Sequence, residues 1–288
     1  MPPLAVALVL VSACVHASWN LLAKRTGEAQ LILWCAAAGF SLAYLPVGLW
    51  LALSRPVPLL GWEIAALSGL LEATYVWTLA RAYRHGDLSL VYPIARGTAP
   101  LVVPLLAALT LGERLSLAAG LGVALVVVGG VTLHLPKPGL AGLRALARGA
   151  RGPGTRWAVV TGLLIASYST LDKRGVALVP PLLYVHVLFI GISVVLAPLM
   201  LPRRAALASA WRRQRGIILL VTLLQPLGYG LILGALTIAP VSHVAAAREI
   251  SVVIAAVLGA MVLGEPYGPQ RVLGSALIAA GLALLVLG

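Results

Sequence analysis

The sequence predicts an all-α integral membrane protein, with ten transmembrane helices arranged as two inverted five-helix repeats. Three observations predict it. Apolar residues make up 61% of the 288 residues and charged ones only 10%, stretches of spanning length recur throughout, and the second half repeats the first. So much apolar surface exceeds what one soluble core hides, so lipid is the expected solvent.

A helix crossing the hydrocarbon core needs about 20 mostly apolar residues. Such stretches fall at 4–22, 31–53, 62–83, 88–110, 116–134, 157–175, 180–201, 216–238, 241–263 and 270–287, numbered here as spans 1 to 10. Span 1 reads as retained rather than as a signal peptide, because residues 1–3 carry no basic segment and no small-residue cleavage site precedes a soluble domain. Residues 1–134 form the first repeat and 157–288 the second. The stretch 135–156, rich in Pro, Gly and basic residues, forms a linker with a short interfacial helix expected through Leu140 to Ala147.

The duplication is carried by particular residues. Ala17-Ser18-Trp19-Asn20 through Lys24-Arg25 lies over Ala166-Ser167-Tyr168-Ser169 through Lys173-Arg174. Further on, Ala95-Arg96 falls on Ala247-Arg248, Leu111-Gly112-Glu113 on Leu263-Gly264-Glu265, and Leu121-Gly122 on Leu273-Gly274. An odd number of spans per repeat forces the second copy to enter the membrane from the opposite face, as in many secondary transporters, and puts both termini on one side. Most Lys and Arg lie in the loops after spans 1, 3, 5, 7 and 9. The positive-inside rule then places the linker in the cytoplasm and both termini outside.

The chemistry lies within the spans, since an ionisable side chain at depth is costly and marks function by default. In span 1, His16 and Asn20 sit one turn apart on one face, with Lys24 a turn beyond. Cavity lining and interhelical packing are both open for them. Trp19 and Tyr168 are matched aromatics, and Tyr75, Tyr92 and Tyr229 lie mid-span. Glu72 in span 3 and Glu249 in span 9 read as the only acids well inside spans, suited to a substrate ammonium or a coupling proton. Arg96 and Arg248 occupy matched depths in spans 4 and 9. A guanidinium there suits a carboxylate, phosphate or phosphonate. A structural ion pair is the competing reading, with Glu72 the candidate partner of Arg96. Glu249 follows Arg248 directly, about 100° round the helix, and is a poor tight partner for that arginine. Pro93, Gly97, Pro100 and Pro104 predict a kinked span 4.

Lys24-Arg25 and Lys173-Arg174 end their helices at the polar interface, where carbonyl capping and headgroup contact explain them. Glu113 and Glu265 lie in short connections and are expected to cap or brace the helices that follow. Ala118 and Gly122 in span 5, and Ala276 and Ala280 in span 10, have the small-residue spacing that permits close helix contact, within a monomer or between two copies.

The formal charge of +13 fits lipid headgroups rather than nucleic acid. There is no Walker-type loop, so ATP-driven pumping is excluded, and no repeated pore-loop pattern. Cys14 and Cys35 have no metal-ligand spacing, and neither a metal nor another cofactor is expected.

The twin five-helix units, His16-Ala17-Ser18-Trp19-Asn20 followed by Lys24, the run Ala80-Arg81-Ala82-Tyr83-Arg84-His85-Gly86-Asp87-Leu88-Ser89-Leu90-Val91-Tyr92-Pro93-Ile94-Ala95-Arg96-Gly97, and the twin Leu-Gly-Glu turns resemble the drug/metabolite transporter superfamily, EamA type. The resemblance implies a ten-helix inverted-repeat basket, a central cavity lined by spans 1, 3, 4, 6, 8 and 9, peripheral spans 5 and 10, alternating access, and often export of small metabolites. The expected function is secondary transport of a small anionic or zwitterionic metabolite, amino-acid-like or phosphonate-like, across the inner membrane, with Arg96, Arg248, Glu72, Trp19, Asn20, His16, Tyr75, Tyr92, Tyr168, Tyr229 and Glu249 as the expected substrate-binding residues. The partners expected are that substrate and membrane lipids, with proton coupling and a monomeric or homodimeric state open. The competing classes are a carrier of amphipathic or cationic drug-like compounds and a membrane-embedded lipid-modifying enzyme using His16 and Glu72.

Overall fold

The computed structural model describes residues 1–86, 88–135, 139, 142, 144, 152–263 and 268–287, with the backbone alone for Lys24, Leu88–Leu90, Tyr92, Pro93 and Leu263. Glu265 and all but Gly142 and Arg144 of the expected linker helix lie outside the described residues. Among the described residues, twelve α-helices with bounds follow one another: α1 Pro3–Arg25, α2 Ala29–Ala43, α3 Leu45–Ser54, α4 Leu59–His85, α5 Leu88–Leu111, α6 Leu117–Leu133, α7 Pro153–Gly175, α8 Pro181–Met200, α9 Arg204–Ile238, α10 Val241–Ala247, α11 Ile250–Leu263 and α12 Pro269–Leu287. By length and hydropathy, the described residues contain six helical stretches able to cross a membrane, or seven if α2 and α3, bent by 51° at Tyr44, count as one. One of the six, Pro181–Ile238, is 58 residues long. As a single helix it would rise roughly 87 Å, so it holds two crossings, α8 and α9, joined by the 3-10 turn Leu201–Arg203.

Helix α7 carries Arg156, Asp172, Lys173 and Arg174 and falls below that hydropathy level. It needs less apolarity because α4 and α5 pack along it and shield it. Span 8 is longer than its apolar core: α9 starts at Arg204, and the basic segment before Gln214 joins the apolar part through non-helical backbone at that residue (φ −127°, ψ 15°).

The main interfaces join one repeat to the other. Helix α1 packs on α9 as α4 packs on α7, α2 on α9 as α4 on α8, and α5 on α7 as α1 on α11, while α6 packs on α12. Neighbours within a repeat touch far less. The α6–α12 seam shows why. A Cβ on Gly122 would lie 2.8 Å from the carbonyl oxygen of Gly281, and one on Gly129 would lie 2.8 Å from that of Gly274. Gly122 and Gly274 are repeat counterparts, as are Gly129 and Gly281, so each contact is the other's symmetry mate and the two helices run antiparallel. Of the small residues flagged in these helices, Gly122 packs within the chain, the close contacts running through glycines two turns apart, whereas Ala276 and Ala280 are exposed. The terminal ammonium of Met1 donates to the carbonyls of Leu285 (3.3 Å) and Val286 (3.1 Å), so both ends of the chain lie at one end of the bundle.

Helix α5 is continuous through the prolines expected to kink it. A break falls in its repeat partner, between α10 and α11, where Glu249 N–H bonds to Ala246 (3.1 Å), Ser251 to Arg248 (3.1 Å) and Val252 to Glu249 (2.9 Å). These i→i+3 bonds tighten one turn into 3-10 geometry. No proline lies there to announce it.

Because the seam leaves no room for a β-carbon, Gly129→Val should destabilise the protein by about 1 to 3 kcal/mol. Thermal unfolding in detergent checks this. An unchanged midpoint would show that α6 and α12 do not rely on glycine contact.

Candidate functional site

A cavity of about 460 Å³ lies between the repeats, within the range of small-molecule sites. Its walls come from α1, α2, α4 and α5 of one repeat, and from α7, α8, α9 and the α10–α11 break of the other. Spans 2 and 7 thus join the six spans expected, through Trp34 and Phe189 among others, and α6 and α12 contribute nothing.

Nine of the eleven candidate residues meet there: His16, Trp19, Asn20, Glu72, Tyr75, Arg96, Tyr168, Tyr229 and Arg248. The side chain of Tyr92 lies outside the described set. Glu249 does not line the cavity. On α1, the His16 ring meets Trp19 edge-on at 4.6 Å. Asn20 spends its amide on the carbonyl of His16 (2.9 Å), which limits what it offers a ligand. Tyr75 and Tyr168 pack edge to face across the repeats at 6.0 Å.

The two arginines have different electrostatic settings. Arg96 Nη2 lies 3.0 Å from Glu249 Oε1, so its partner is Glu249 of the other repeat and not Glu72. The 3-10 turn makes this possible: it turns Glu249 towards α5 while Arg248 projects into the cavity. Arg248 has no ion-pair partner among the described residues. Its guanidinium carbon stands 5.4 Å from the centre of the Tyr229 ring, a cation–π distance that favours the charge without neutralising it.

The residue missed in the sequence is Asp172. Placed beside Lys173 and Arg174, it reads as part of an interfacial helix end, but it is fully buried. Ser68 donates to its Oδ1 at 2.5 Å and Tyr184 at 2.9 Å, while Tyr229 donates to Oδ2. Those donors sit on α4, α8 and α9, so one carboxylate on α7 ties four helices from both repeats. Three hydroxyl donors suit a group that only accepts. Glu72 lies close enough to Tyr229 and Asp172 to interact with both electrostatically. Helical spacing held the signal: Asp172 is four residues after Tyr168 and shares its face.

At the end of the bundle away from the Arg-rich loops, two charged residues hold the α9–α10 corner. Lys173 Nζ donates to the carbonyls of Leu236 (2.6 Å) and Ala239 (2.9 Å), capping α9 rather than its own helix. Glu113 accepts from the backbone of Val241 (2.7 Å) and Ser242 (3.2 Å) and from Ser242 Oγ (2.7 Å). It therefore caps α10 of the other repeat and not the helix that follows it, which Ser116 caps through Ala119 N–H at 3.0 Å.

Two outcomes follow from these contacts. Asp172→Ala strands three buried hydroxyls and should lower stability by about 3 kcal/mol. Unfolding midpoints equal to wild type would contradict the structural role assigned to the carboxylate. For the ion pair, Arg96→Gln leaves Glu249 uncompensated, so the Arg96→Gln/Glu249→Gln double variant should be more stable than Arg96→Gln alone. Strict additivity in that cycle would mean the two side chains do not interact.

The comparisons with known proteins agree with this geometry. No curated protein matches the chain significantly. A solved crystal structure, 18% identical, shares the fold with a TM-score of 0.68 over 98% of this chain and 96% of its own. The EamA-like transporter family matches residues 3–134 and again 152–287. Since those two matches cover almost the whole chain, the protein belongs to the EamA-like transporter family and is a multi-pass membrane transporter of repeated architecture.

Proposed function

We propose that the chain carries a small anionic or zwitterionic metabolite, amino-acid-like or phosphonate-like, by alternating access across ten spans in two inverted repeats. One observation carries this reading: Arg248 enters the cavity with no described acid at ion-pair distance, Glu72, Asp172 and Glu249 acting on it only from further away, while Arg96 is in direct contact with Glu249. A cation at depth without a partner is expensive, and a ligand carboxylate or phosphonate supplies the missing charge through a bidentate bond. Glu72 on the facing wall meets an ammonium or a proton, and Trp19, Tyr75, Tyr168 and Tyr229 enclose the body of the substrate. The break between α10 and α11 is the hinge.

Direction and location belong to the same proposal. The cavity extends to the end of the bundle where Gln30 and Tyr83 are exposed, the end that carries most of the basic loops. By the positive-inside rule that end is cytoplasmic. Loading from the cytoplasm and export across an inner membrane follow.

The test separates the two arginines. In proteoliposomes, a panel of labelled carboxylates and phosphonates should contain a substrate whose transport falls about tenfold to a hundredfold in Arg248→Gln. The Arg96→Gln/Glu249→Gln pair should retain transport of that substrate within a few-fold. Wild-type rates in Arg248→Gln across the panel would sink the assignment.

A further inference from the structure

A second hollow of about 440 Å³ opens at the basic end of the bundle, between the last turns of α4 and α8 and the start of α2. Three arginines line it: Arg81 and Arg84 from α4, and Arg203 from the turn after α8. None is in an ion pair among the described residues, and no described acid lines the hollow. Arg81 is held in place, its guanidinium carbon 4.8 Å from the centre of the Trp77 ring, which itself meets Trp157 edge-on at 5.5 Å.

The hollow is not a separate surface feature. Gln30, Ala80 and Met200 line both it and the central cavity, so the two spaces share a wall. Helix-dipole contact explains a cation in the last turn of α4, but not three converging from two elements around a concave space. Clustered charge over a low-dielectric wall raises the local concentration of counter-ions by 10 to 10³.

We infer that Arg81, Arg84 and Arg203 form a staging site for an oxyanion, a carboxylate or phosphate group, that is captured at the mouth before it passes to Arg248. The inference rests on the anionic reading of the central site. It adds a second binding step and a preference for substrates of net negative charge. A phospholipid headgroup offers the same phosphate chemistry, so the test separates the two sources.

The probe is inorganic phosphate, titrated into the purified full-length protein in phosphate-free maltoside micelles and followed by its ³¹P linewidth. The titration is made in an Arg248→Gln background, which removes the free cation of the central site. Saturable broadening that weakens with added salt is expected, with at least a tenfold loss of apparent affinity on adding Arg81→Gln and Arg203→Gln. If that combination does not fold, the exposed Arg84→Gln and Arg203→Gln substitutions, made singly, should each weaken binding about threefold. Broadening that is absent, or unchanged by these substitutions, overturns the staging site. Displacement of phosphate by equimolar phosphatidylglycerol overturns it too, by assigning the hollow to a lipid headgroup. Because Arg248 is absent throughout, failure here is distinct from failure of the central site, which the transport rates of Arg248→Gln report.

Discussion

A charge inside the hydrocarbon core must be matched, and the cavity is organised by how each of its charges is matched. Insertion of an Arg or Asp at a helix centre costs about 3 kcal/mol. Arg96 meets that cost through Glu249 at 3.0 Å, across the repeat boundary. Asp172 meets it with three hydroxyls from three helices. Arg248 has an aromatic face and no carboxylate at ion-pair distance among the described residues, and in the function proposed here a directly bonded counter-charge arrives with the substrate. The same side chains that close the charge balance also tie the repeats together, so the site and the fold share their strongest polar contacts.

The duplication provides two matched arginines, and the asymmetry between the copies gives them separate duties. Glu249 falls opposite Gly97, so only one arginine can acquire a carboxylate from the other copy. Asp172 falls opposite Ala23, so the hydroxyl-clad acid exists only in the second repeat. Away from the cavity the symmetry is kept: the glycine contacts of α6 and α12 are exchanged by the repeat relation. Packing retains the twofold relation, and polar chemistry departs from it.

Much of this was legible in the sequence because membrane helices must be long and apolar, and because a duplication places equivalent depths in register. Nine candidate residues converge on one cavity for that reason. What stayed hidden depended on geometry that periodicity does not carry. The 3-10 turn at Arg248–Glu249 has no proline or glycine to mark it, whereas α5 stays continuous through its prolines. Asp172 was obscured by its basic neighbours, although its spacing from Tyr168 placed it on the right face. Glu113 reaches a helix 128 residues away, and no local capping pattern predicts such a partner.

Access has the same division of labour. The end with few basic residues is fastened by Lys173 and Glu113 around the α9–α10 corner, and the other end carries the hollow lined by Arg81, Arg84 and Arg203. The most direct test of the central claim, that Arg248 and not Arg96 is the cation awaiting a ligand, is to locate a bound anion. Crystals soaked with a brominated carboxylate should show an anomalous bromine peak in the cavity, with the carboxylate on the guanidinium of Arg248 and the Arg96–Glu249 pair intact. A carboxylate seated on Arg96 with Glu249 displaced, or a cavity without a peak, would contradict the account.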